Sequence, residues 1–329
     1  MGFVKTSAKV TIVAALFYWL ASKGKLDFQT LGLLFKEPET LFLIFSFWIL
    51  GPITACALRW HCLLSGLNVA ISRSQAWIFH LIGTFFSSFM PGSVSGDVMK
   101  ALYVHKSGSE ASKTAILLSI LADRAMGLFV LTAIASVALV PNRDLIMSTP
   151  ILQPIALIVL LGFATFLFFG ALIFIPRLED FKVIKLGKHF AFKIPLVVKI
   201  YSSLVTYRQY RKYFMKALLL AFAYQIAAIA LYVWLTAKLN GHIISAGLLL
   251  VLPLGFCLTA IPLAPGGLGV GHVAFEELFA LIGLSNGANV FNLGFVSQLL
   301  FAGIGAIPYF LYPYYKTCCE KKAMTQSRT

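Results

Sequence analysis

Six stretches of this chain run without a single charged side chain: Val10 to Leu20, Leu41 to Leu58, Ala125 to Val140, Ile151 to Ile175, Ala217 to Ala237 and Val290 to Leu311. In hydrocarbon every backbone N–H and C=O needs a partner within the protein, so such runs fold as membrane-crossing helices or are buried in a core. A span takes about 20 apolar residues, and most of the six reach that length with their polar flanks, the first being the shortest. Composition decides for the membrane. Hydrophobic residues are 59% of the chain, charged residues only 12%, and the mean hydropathy is +0.87, far from the balance of a soluble domain. The chain reads as one all-α polytopic membrane domain over residues 1–329, with about six spanning helices. The first run follows Lys5 and Lys9 as the core of a secretory signal would; with Met1 at its head it is expected to stay as a span.

Two shorter apolar stretches are broken by proline and glycine: Phe89-Met90-Pro91-Gly92-Ser93-Val94-Ser95-Gly96-Asp97, and Pro262-Leu263-Ala264-Pro265-Gly266-Gly267-Leu268-Gly269. The plainer reading is a pair of extramembrane loops. Matching interruptions in two halves of a membrane protein instead point to a midplane binding site covered by protein or a water-filled cavity.

Lys and Arg total 27 against 12 Asp and Glu, so the placement of charge has to decide between nucleic acid and topology. Arg177, Lys182, Lys185, Lys188, Lys193, Lys199, Arg208, Arg211 and Lys212 fill one connection, residues 177–213, which the positive-inside rule assigns to the cytoplasm. Counting outward, both termini, Arg59, Arg73, Lys100, Lys106 and Lys113 fall inside, while Arg143-Asp144 and Lys238 fall outside. The basic residues are spread as topology determinants and not gathered on a reading surface, which excludes nucleic acid as the expected partner. Residues 195–212 also carry apolar positions at helical spacing and read as an interfacial helix or as the lead-in to the next span.

The first hairpin, residues 75–103, then begins and ends inside; the second, 244–284, begins and ends outside. Each is preceded and followed by a span. The chain divides into a first repeat, 41–140, and a second, 214–311, of opposite orientation: an inverted repeat with two broken, re-entrant hairpins. Full crossing by both arms of each hairpin would leave the same loop orientations. Asp123-Arg124 follows Pro91 at the spacing at which Ser297-Gln298 follows Pro265.

Arg59-Trp60 with Leu63-Leu64, Met90-Pro91-Gly92 leading to Gly96-Asp97-Val98-Met99-Lys100, Asp123-Arg124-Ala125-Met126-Gly127, and Ile261 to Val270 resemble the flippase-like transmembrane family. That family includes the membrane half of lysylphosphatidylglycerol synthase, the multiple peptide resistance factor. The resemblance runs through most of the chain and implies a protein that handles lipid head groups, here without the soluble domain that carries aminoacyl transfer. Family members often have a glutamate just after the second proline-glycine motif, where this chain has His272; Glu276 or Glu277, one turn on, is the available substitute.

Candidate site residues follow from cost. Asp123 or Arg124 alone inside a span would cost at least about 2.5–3.5 kcal/mol, so each is expected to face a partner or a cavity. The functional reading gives Arg124 a lipid phosphate to grip through its donor fork, with Asp123 orienting or competing; the structural reading gives a pair to neighbouring helices. Asp97 and Lys100, one turn apart, suit head-group contact, a helix N-terminus for the acid and interfacial snorkelling for the lysine. Arg59 reads as topology marker or head-group contact. Pro265, Gly266, Gly267 and Gly269 leave N–H groups free to meet an anion at a helix start, or permit close helix packing. His272 and Glu276 share a helix face, which allows a proton-coupled role or a satisfied buried histidine.

There is no P-loop, G-x-S-x-G elbow or HExxH, and Cys56, Cys62, Cys257, Cys318 and Cys319 make no metal-ligand array. No cofactor and no metal are expected. The expected function is a lipid translocator moving an anionic phospholipid or lipid-phosphate-linked molecule between leaflets by alternating access, in a prokaryotic plasma membrane. An integral-membrane enzyme acting on a lipid-linked substrate, and a non-catalytic organiser of lipid enzymes, are the alternatives; oligomerisation is left open.

Overall fold

The computed structural model describes residues 37–90, 94–107, 112–175, 198, 201, 205–241, 245–260 and 269–312. Among these the chain is helical, with α1 Pro38–Gly66, α2 Arg73–Phe89, α3 Ser95–Lys106, α4 Lys113–Ala138, α5 Arg143–Ser148, α6 Leu152–Phe174, α7 Arg211–Leu239, α8 Leu248–Thr259, α9 Val270–Leu281 and α10 Gly287–Tyr312. Five of these, α1, α4, α6, α7 and α10, are long and apolar enough to cross a membrane. The run Val10 to Leu20 lies outside the described residues. The four hairpin helices are shorter. At about 1.5 Å per residue, α3, α8 and α9 each reach about 18 Å, well under the roughly 30 Å of a bilayer core.

Local chemistry sets the ends. Ser72 and Gln75 form a reciprocal capping box at the start of α2, and Ser112 accepts from the Ala115 N–H at the start of α4. The residue before a proline is driven toward extended backbone; Met90, before Pro91, is extended at ψ 146° and ends α2. In the second hairpin Gly269, at φ +80°, starts α9, a conformation that costs glycine little. Within α1 the segment Ile49–Ala55 widens into a π-helix around Pro52, whose ring and missing N–H cannot be accommodated in a regular turn.

The two sets of four helices, α1–α4 and α7–α10, make the same contacts when exchanged. The leading hairpin helix of each set, α2 or α8, packs against the last span of the other, α10 or α4. Within the sets, α1 meets α4 as α7 meets α10, and α3 meets α4 as α9 meets α10. At the centre α1 and α7 pack on each other in opposite directions, Gly51 against Tyr224 at one end and Gly66 against Tyr207 and Tyr213 at the other. Between sets, α2 and α10 are also antiparallel, with Phe79 on Tyr312, Phe86 on Tyr309 and Ser88 by Gln298.

Burial follows this order. Only 6% of the apolar window of α6 is covered by protein, against 61% for α10, so α6 is a peripheral helix laid on α4 and α10 is central. Two side chains from the basic connection close helix ends. The Tyr207 hydroxyl donates to the Leu63 carbonyl, and Arg208 donates to the carbonyls of Ile173 and Leu172 at the end of α6, groups that no further turn of helix would satisfy. The remainder of the proposed interfacial stretch, and residues 176–197, lie outside the described residues.

Candidate functional site

Three helices bring five charged side chains together. In α1, Arg59 points inward about two turns before the end at Gly66, and its Nε lies 2.6 Å from Asp123 Oδ1 of α4, both groups buried. In α3, Asp97 Oδ2 accepts from Arg124 Nε of α4 at 2.5 Å while its Oδ1 lies 3.7 Å from Lys100 Nζ. Asp123 and Arg124 are therefore not each other's partners. Successive helix positions diverge by about 100°, so one residue of the pair faces α1 and the other faces α3. The carboxylate that holds Arg124 is Asp97, and the Asp123 side chain is occupied by Arg59.

Lys100 is buried and does not snorkel. Its stem crosses α2 where Gly83 offers no side chain, a Cβ there coming within 2.7 Å of Lys100 Cγ, and its ammonium lies 5.5 Å from the Trp60 ring centroid. The Trp60 indole donates to Ser119 Oγ at 3.2 Å, tying α1 to α4 beneath the ion pairs. Gly96 makes the α2–α3 approach feasible, because any Cβ there would strike the Gly83 carbonyl and Ser87 Oγ. Arg124 is the outlying member, its side chain 40% exposed against 8–12% for Asp97, Lys100, Arg59 and Asp123. Asp97, in the first turn of α3, also sits where negative charge is favoured by the helix dipole.

His80 of α2 was not legible as a member of this group. It is buried, its Nε2 is 2.9 Å from the Pro52 carbonyl in the π-helical turn, and it lies within electrostatic reach of Lys100, Asp123 and Arg59. One signal pointed to it: Gly83, three residues on, marks the α2 face that α3 approaches.

The second hairpin is built differently. Pro265, Gly266 and Gly267 lie outside the described residues; Gly269 starts α9. His272 Nε2 is 3.5 Å from Asn292 Oδ1 and its ring lies edge-on to Phe291. Glu276 accepts the Ala288 N–H at 2.8 Å, capping the first turn of α10, and Glu277 is exposed. Among the described residues the partners of His272 and Glu276 are Asn292, Phe291 and Ala288, none of them in the charge cluster of α1–α4. Among the described residues no three His, Cys, Asp or Glu side chains are grouped as metal ligands.

Helices of this length, enclosing ion pairs between α1, α3 and α4, define an integral membrane protein with a charged interior site. Residues 7–296 match the family described as the transmembrane region of lysylphosphatidylglycerol synthase, and the chain belongs to that family. It is 22% identical over 296 residues to the UPF0104 membrane protein of Pyrococcus horikoshii, covering 84% of this chain and 85% of the relative. No solved structure matches it.

Proposed function

We propose that the protein moves an anionic phospholipid, or a lipid-phosphate-linked molecule, between leaflets, and that Arg124 with Lys100 receives the phosphate. The observation that carries this reading is the charge balance of the interior cluster: among the described residues three cations, Arg59, Lys100 and Arg124, face two carboxylates, Asp97 and Asp123, an excess of one positive charge. An uncompensated charge in an apolar interior is costly, and a monoanionic head group offsets it. Asp97 occupies Arg124 and Lys100 as a carboxylate stand-in for phosphate, so a ligand trades one anion for another without ever leaving the arginine bare. The guanidinium fork suits a phosphate bidentately, as an ammonium does not.

Alternating access is supported by the exchange symmetry of the two helix sets. Equivalent helices α1 and α7 run antiparallel, the relation expected when a two-fold axis lies in the membrane plane. Three of the four hairpin helices, at about 18 Å, suit re-entrant arms. The membrane-domain family to which the chain belongs is named for a phospholipid synthase, which fits a lipid ligand. We place the basic connection and both termini in the cytoplasm of a prokaryotic cell on the positive-inside rule.

Reconstitution into liposomes with labelled phosphatidylglycerol, with labelled phosphatidylcholine as the zwitterionic comparison, tests this. Wild-type protein is expected to exchange phosphatidylglycerol between leaflets and to leave it chemically unchanged. Arg124→Lys is expected to slow exchange about tenfold or more, the equivalent of a charge-assisted hydrogen bond, with an unaltered melting temperature because Asp97 keeps Lys100. Full exchange by Arg124→Ala would refute the assignment, and a chemically altered lipid would favour an enzyme.

A further inference from the structure

We propose that the seam between α3 and α4 is a track for a diacyl phospholipid: the acyl chains lie in the bilayer along the outside of the seam while the head group moves inward to Arg124. The inference rests on the reading of Arg124 and Lys100 as the phosphate site, and it names the face of the protein from which that site is filled.

Asp97 meets Arg124, while Lys106 ends α3 and Lys113 begins α4, so the two helices run antiparallel along one seam. On α4 the positions Lys113, Leu117, Leu121 and Arg124 recur at helical spacing and all are exposed, which makes one stripe along the helix. On α3 the positions Val98, Leu102 and Lys106 repeat every four residues and are exposed as well. The four apolar members of the two stripes leave 43–57% of their surface uncovered. Lysines therefore stand at the loop end, apolar side chains line the way, and Arg124 stands at the inner end, about 17 Å along α4 from Lys113. Past Arg124 the helix takes up α6, with Phe129 stacked on Phe163.

Any apolar helix face in a membrane is coated with lipid, and α6 is the internal standard for that coating: protein hardly covers it, and it has no charged side chain from Leu152 to Phe174. The seam differs in its charges. An arginine near the middle of a span, among side chains that face hydrocarbon, is costly; Asp97 offsets that cost in the empty protein and a phosphate does so in the loaded one. Lys100, the second cation on Asp97, is buried, so a phosphate arriving along the seam meets Arg124 first and Lys100 next. The tails do not follow. Where α2 and α3 touch, at Gly83 and Gly96, there is no room even for a Cβ, and an acyl chain is far larger. Lys106 and Lys113 attract an anionic head group at the end of the seam that we place in the cytoplasm, which sets the leaflet from which the lipid enters.

Photolabelling tests the track. The protein is reconstituted in phosphatidylcholine liposomes with a trace of phosphatidylglycerol that carries a diazirine in mid-chain, and adducts are mapped by peptide mass spectrometry on α3–α4 and on α6. Added unlabelled lipid dilutes the probe at a merely coated surface equally whatever its head group, so phosphatidylglycerol and phosphatidylcholine are expected to lower α6 labelling alike. On the seam, phosphatidylglycerol is expected to be about fivefold the more effective competitor, the scale of one screened charge contact. Arg124→Ala is expected to make the seam behave as α6 does. Soluble glycerophosphoglycerol is expected not to compete; if it displaces the probe as well as the lipid does, the site reads an aqueous anion and the track is overturned. Wild-type labelling in which the seam follows α6 overturns it even if Arg124→Ala fails to fold, and so does a seam closed to the probe, as a face covered by a second copy would be. Leaflet exchange that needs Arg124 beside such labelling leaves the transport reading standing. Head-group-selective labelling of the seam without any leaflet exchange overturns transport instead and upholds the track.

Discussion

Around α3 the helices meet through Arg59, Asp97, Lys100, Asp123 and Arg124, whereas around α9 they meet through Tyr232, Phe256, Phe275 and Phe291, whose ring centroids lie 4.8–5.8 Å apart in successive pairs. The helices occupy equivalent places in the two sets, yet one junction is ionic and the other aromatic. Ring contacts hold by area and shape and have no partner to exchange. Ion pairs can be re-paired, which is what the proposed function asks of Asp97 with Lys100 and Arg124. The difference teaches that equivalent helix contacts can be held by charge in one set and by ring packing in the other. The tryptophans of α1 serve both junctions: Trp60 donates to Ser119 of α4, and Trp48 to Ser297 of α10.

The largest test of this contrast is Asp123→Ala. It strands the Arg59 charge in an apolar interior and is expected to destabilise the protein by about 3–5 kcal/mol, while Arg59→Met with Asp123→Leu is expected to be much milder. His272→Ala, in the second set, removes a 3.5 Å polar contact and is expected to cost far less than Asp123→Ala. Thermal melting of the three variants in detergent measures this, and equal losses for Asp123→Ala and His272→Ala would erase the distinction.

Close packing provides a second comparison. A Cβ at Gly96 meets the backbone carbonyl of Gly83, which cannot step aside, whereas at Gly271 it meets the ring of Phe291, a side chain that can turn. Gly96→Ala is expected to cost about 1–3 kcal/mol as overpacking does, and Gly271→Ala less. A larger melting shift for Gly271→Ala would mean that the aromatic junction is the more rigid of the two.

The smallest expected effect is at the surface. Glu37 accepts from Lys238 at 2.9 Å, and this hydrogen bond holds its carboxyl below the usual carboxylate range. Any stability it adds is present above the unfolded carboxyl pKa and is lost as pH falls through the lowered folded value. The pair is open to solvent, and Glu37→Gln is expected to leave the neutral-pH melting temperature unchanged within error. A measurable drop would extend ionic reinforcement beyond the interior cluster.

Much of this was legible in the chain. Apolar runs at Leu41, Ala125, Ile151, Ala217 and Val290 marked the five described spans, because hydrocarbon admits few alternatives to a helix. The proline at position 91 marked the end of α2, and the cost of burying Asp123 and Arg124 marked them for partners. Adjacent positions in the sequence suggested a shared role, but helical rotation sends their side chains to different neighbours.

What the sequence by itself determined is the class of structure and the list of interior charges, since both follow from hydration costs that each residue carries wherever it sits. Which charge meets which was decided only by the tertiary structure. The pairing of Arg59 with Asp123, of Arg124 and Lys100 with Asp97, and the place of His80 beside Pro52 join residues that are 27 to 64 positions apart for all but the local Asp97–Lys100 contact. No local periodicity encodes those distances; they exist because α1, α2, α3 and α4 pack together, α2 and α3 where Gly83 and Gly96 let backbones touch.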